Sequence, residues 1–118
     1  MATKKMVKKK SNSTDKPIIK VTNISNGWTI GKITYKRMNS YFEMKNFIEK
    51  SQFGINKGCI SKLRIVFSPT DSEIVNYDRG WDVKPKSDYA KTVYRALLRE
   101  FNNGMPEKYV NRWLRSIE

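Results

Sequence analysis

The sequence predicts an α+β fold: a small antiparallel sheet of four to five strands, with two C-terminal helices packed on one face. Two observations predict it. Apolar residues alternate along the chain up to about residue 78, and recur at helical spacing from about residue 88. All strands precede all helices, an order that favours a sheet covered on one side over βαβ units.

Residues 1–16, MATKKMVKKKSNSTDK, hold six lysines against one aspartate, a net +5. With few apolar residues, they bury too little surface to offset their ordering entropy, so a disordered basic arm is expected. A single domain is expected over 17–118. PIIKVTNI is β-branched and ends at the turn signal SNG, residues 25–27. WTIGKITYK then places Trp28, Ile30, Lys32, Thr34 and Lys36 on one side, and Thr29, Gly31, Ile33 and Tyr35 on the other. SYFEMKNFI sets Phe42, Met44 and Ile48 against Tyr41, Glu43 and Lys45, with a short helix as its alternative.

FGINKG, residues 53–58, is loop chemistry. CISKLRIVF is the clearest strand, with Leu63, Ile65 and Phe67 opposite Lys62 and Arg64. SPTDS is a turn, and EIVNYD closes a hairpin. From about 88 to 102, Ala90, Val93, Tyr94, Leu97, Leu98 and Phe101 share a helix face, with Ser87 as N-cap and Asp88 in the first turn. Asn102, Asn103 and Gly104 stop that helix. Pro106 opens a second one over about 106–117, with Tyr109, Val110, Trp113, Leu114 and Ile117 as its stripe.

Composition narrows the function. The 118 residues suit one domain, and 24 Lys plus Arg against 11 Asp plus Glu give +13. That excess favours nucleic acid, an anionic surface or an acidic protein as partner. A single cysteine, Cys59, excludes an intrachain disulfide and a C-x-x-C zinc site, and no disulfide-linked partner is expected. It reads as a small buried hydrophobe. The absence of histidine removes the commonest general base and zinc ligand, and no paired motif replaces it. No enzymatic activity, cofactor or metal is therefore expected. No apolar run is long enough to span a bilayer, and no h-region follows MATKKMVKKK, so a soluble protein of a reducing cytosol is expected, without a membrane partner.

NYDRGWDVKP, residues 76–85, gathers Asp78, Arg79, Trp81 and Asp82 in a lysine-dominated chain. The favoured reading is a joint between sheet and helix. Asp78 and Gly80 form the turn, Gly80 supplies a positive φ, and Trp81 wedges between the layers. A partner-binding patch and an acid–base pair are the alternatives.

FGINKGCISKLRI, NYDRGWDVKP and SDYAKTVYRALL together resemble a family of small uncharacterised bacteriophage and prophage proteins, over roughly residues 27–102. In that family a glycine-rich loop and an I-S-K-L strand precede an N-Y-D-R-G-W-D turn and an amphipathic helix. The resemblance implies no activity and assigns no functional residue. The basic arm and the helix after Gly104 depart from the pattern.

Three surfaces are candidates for binding. The sheet's outer face would carry Lys32, Lys36, Lys45, Lys62 and Arg64 with Tyr41, cations and aromatics able to follow phosphates and stack bases; an ordinary solvated face is the alternative. Lys4, Lys5, Lys8, Lys9 and Lys10 of the arm would neutralise phosphates without reading sequence, with a solubilising tail as the equal alternative. Arg95, Arg99, Arg112 and Arg115 on the helices can contact phosphates or an acidic partner, with a solvated helix face as the favoured alternative, and the NYDRGWD cluster is a further candidate for partner binding. The first expectation is a phage or prophage accessory protein that binds DNA or RNA non-specifically. The second is an anti-CRISPR-like inhibitor that docks on a host defence protein or its nucleic-acid or nucleotide site.

Overall fold

Two-residue hairpin turns set the topology. Asn26–Gly27 (φ 53° and 83°) and Lys36–Arg37 (φ 53° and 65°) take left-handed backbone, as type I′ turns require to match the twist of the strands they join. In the computed structural model, which describes residues 16–118, they link β1 (Ile18–Ser25), β2 (Trp28–Tyr35) and β3 (Met38–Asn46). β4 (Ile60–Phe67), β5 (Ser72–Asp78) and β6 (Trp81–Val83) complete an antiparallel meander in chain order. Helix α1 (Asp88–Phe101) packs over β2, β4 and β5, and α2 (Glu107–Ser116) over β1. Except for Lys16, the expected arm lies outside the described residues.

The sheet has six strands, not four to five. The additional strand, β6, lies inside the NYDRGWDV stretch. Arg79 (φ 57°), rather than Gly80, takes the left-handed conformation, and the Asp78 amide donates to the Gly80 carbonyl at 2.9 Å. The chain thus doubles back at once and sets Trp81 opposite Tyr77. Trp81 lies edge-on to Tyr77 at 5.1 Å and to Tyr94 of α1 at 5.6 Å, so it does join helix to sheet.

The inner face holds Ile33, Phe42, Met44, Leu63, Ile65, Val75 and Tyr77, closed from above by Val93, Leu97 and Phe101. The Ser87 hydroxyl accepts from the Ala90 amide at 3.0 Å, capping α1 as its sequence predicts. Ile48 departs from the expected alternation. β3 ends at Asn46 behind a register shift at Lys45–Asn46, and Ile48 is 68% exposed. On α2, Trp113 is buried, whereas Leu114 and Ile117 are exposed.

The loop after β3 is fixed by close backbone approach. A Cβ on Gly54 would collide with the Gly58 carbonyl oxygen, and one on Gly58 with the Asn102 side chain. Asn102 itself does more than stop α1. Its Oδ1 accepts from the Ile60 amide at 2.9 Å, its Nδ2 donates to the Ile55 carbonyl at 2.8 Å, and its own carbonyl accepts from the Cys59 amide at 2.9 Å. The glycine loop, the I-S-K-L strand and the end of α1 are therefore one hydrogen-bonded unit.

Candidate nucleic-acid interface

Alternation along β1–β5 sends one set of side chains to the core and the other to the open face. Antiparallel register then arranges the open-face set in three rows. Lys20, Lys32, Tyr41 and Val66 lie side by side from β1 to β4. Ile30, Glu43, Arg64 and Asn76 cross the middle. Trp28, Lys45, Lys62 and Asp78 form the third row, at the end of the sheet where β2 and β4 begin.

The expected cations are not equivalent. Arg64 Nε donates to Glu73 and its Nη1 lies 3.5 Å from Glu43; the bond to the Glu73 carboxylate, chiefly, raises the guanidinium above its already high range. Arg64 thus has two carboxylate partners within the sheet. Lys62 lies 3.8 Å from Asp78, which also meets Arg79 at 3.7 Å. Lys45 rests over the Trp28 ring at 5.3 Å. Lys20 and Lys32 have no carboxylate partner among the described residues. Lys36 lies on the β2–β3 turn, over Tyr35 at 5.6 Å, rather than within a row. Tyr41 is 51% exposed beside Lys32.

Two pairings stand out physically. Lys20 is directly opposite Lys32, and Lys45 directly opposite Lys62. Like charges facing each other across a ladder are destabilising; Asp78 answers Lys62, whereas among the described residues the fold supplies no counter-charge to Lys20 and Lys32. A polyanion lying over both pairs would supply it. Sequence reasoning missed Lys20, although its place between Ile19 and Val21, both partly buried against the core, carried the signal.

The other candidates fall elsewhere. Arg95 and Arg99 are exposed on α1, and Arg112 and Arg115 on α2, in the helical layer rather than in the rows. Trp81 is half-buried, and Asp82 is exposed on β6. Among the described residues no three His, Cys, Asp or Glu side chains gather as a metal-binding group. Cys59 is buried, and desolvation is the main cause pushing its thiol up. Burial likewise raises the Tyr89 and Tyr94 hydroxyls. No helix among the described residues is long and apolar enough to cross a membrane. Lys4, Lys5, Lys8, Lys9 and Lys10 lie outside the described residues.

The model of a family described as Domain of unknown function (DUF7678) matches residues 27–102. The match runs from the β1–β2 turn to the end of α1 and leaves out β1, with Lys20, and α2. No curated protein and no solved structure matches the chain.

Proposed function

The chain belongs to the DUF7678 family, and from that premise we propose that it is a non-enzymatic accessory protein, of phage or prophage setting in the bacterial cytosol, that binds nucleic acid through the open face of its sheet. The observation that carries this reading is the pair of like-charged cross-strand couples, Lys20–Lys32 and Lys45–Lys62, flanked by the aromatic rings of Tyr41 and Trp28. Phosphates would relieve the repulsion, and unstacked bases would find rings to rest on. The phage setting rests on the resemblance carried by residues 27–102.

The test is fluorescence anisotropy with labelled single- and double-stranded oligonucleotides of random sequence across a salt series. Affinity falls linearly on logarithmic axes as salt rises, and single strands bind more tightly than duplexes. Absence of binding at low salt overturns the reading. A second reading, docking on a host defence protein, is favoured by Ile48 and Phe53, which are 68% and 54% exposed on the loop between β3 and β4. It takes first place if no oligonucleotide binds.

A further inference from the structure

The third row ends in a cleft. Lys45, Lys62 and Arg79, with Gly27, Ser61 and Ile117, line an open cleft of about 330 Å³ at the end of the sheet, a volume at the lower limit of small-molecule sites. Three of these residues are cations, and the adjacent Asp78 pairs with two of them. The local charge is therefore +2. Its backbone is tied down: the Ser61 hydroxyl donates to the Lys45 carbonyl at 3.2 Å, and the Arg79 amide donates to the Ser61 carbonyl at 3.0 Å. On the far wall the Gly27 amide donates to Ser116 Oγ at 3.0 Å, which holds the end of α2, with Ile117, against the rim. Trp28 follows the lining residue Gly27 in the chain, and its ring lies beneath the Lys45 ammonium at 5.3 Å.

We propose that this cleft binds a terminal phosphate monoester of single-stranded nucleic acid, with the terminal base on Trp28 and the strand continuing along the rows toward Tyr41. The proposal rests on the nucleic-acid reading of the sheet face and adds an end preference to it. Charge selects the ligand. A monoester carries close to two negative charges at neutral pH and matches the local +2, whereas an internal diester carries one and leaves a cation unmatched. Arg79 offers a planar fork of donors to phosphate oxygens, and the two lysines act as point charges. A free mononucleotide presents the same monoester, so the experiment must separate the two sources.

One short oligothymidylate, labelled internally, is prepared with a 5′-phosphate, with a 3′-phosphate and with hydroxyl ends, and its anisotropy is measured with the full chain. Thymidine monophosphate is added separately while tryptophan fluorescence is followed. One phosphorylated end binds about tenfold more tightly than the hydroxyl form, the worth of one added charge-assisted hydrogen bond. Arg79→Ala removes that ratio. Lys32→Ala weakens all three forms alike and leaves the ratio intact. Should Arg79→Ala fail to fold, Lys45→Gln tests the same cleft. Equal affinity for all three forms overturns the cleft assignment and leaves the sheet-face reading standing. Binding of the mononucleotide with no binding of any oligonucleotide overturns both the strand-end assignment and the sheet-face reading. No binding of any probe has the same result.

Discussion

Trp81 shows how far a single residue can be read before the fold is known. A large aromatic between alternating and helical spacing suggests a wedge, and its ring packing against Tyr77 and Tyr94 places it between β5 and α1. Trp81→Ala lowers stability by about 2–4 kcal/mol in chemical denaturation, somewhat less than a fully buried aromatic because the ring is half-exposed. A midpoint that barely moves while partner binding disappears would make NYDRGWD a recognition site. Arg79 and Asn102 were less legible. Glycine is the usual choice for positive φ, yet here Arg79 adopts it next to Gly80. Asn102 reads locally as a helix stop, and its two side-chain bonds to Ile55 and Ile60 are tertiary. Asn102→Ala leaves two buried backbone groups unpaired and costs about 2–5 kcal/mol, measured the same way.

At the scale of the element, β1 to β5 and both helices were legible because each is long enough for its period to repeat. β6 has three residues and shows none. The Lys36–Arg37 turn lacks the Asn-Gly signature, so nothing local separated Lys36 from the strand before it. Register was the other missing quantity. Alternation places Lys62 and Arg64 on one face, but only pairing shows that Arg64 lies between Glu43 and Glu73 while Lys20 faces Lys32. Opposite effects follow. Lys20→Glu replaces a like-charged couple by an opposite one and raises stability by about 0.2–1 kcal/mol, while weakening oligonucleotide binding. Arg64→Glu brings three carboxylates together and lowers the melting temperature. Lys20→Glu that loses stability, or that leaves binding unchanged, would remove the argument built on the lysine couples.

For the whole molecule, the +13 charge raises the expectation of a polyanionic partner and is silent on where one would bind. Residues 1–15 hold five lysines and one aspartate, so their removal leaves +9 on the rest of the chain. Deletion of 1–15 reduces the slope of log affinity against log salt by about 0.7 for each single-strand phosphate that the arm had neutralised, and a weaker, salt-dependent affinity persists. Complete loss of binding would assign the activity to the arm alone.

The central claim is that the open face of the sheet, rather than the helical layer, receives nucleic acid. The most direct measurement is amide and side-chain NMR of the isotopically labelled protein, titrated with a short single-stranded oligonucleotide at low salt. The account predicts that the shifts concentrate at Lys20, Trp28, Lys32, Tyr41, Lys45 and Lys62, with Arg95 and Arg99 unmoved. Shifts confined to the exposed sides of α1 and α2, or none at any ratio, would contradict it.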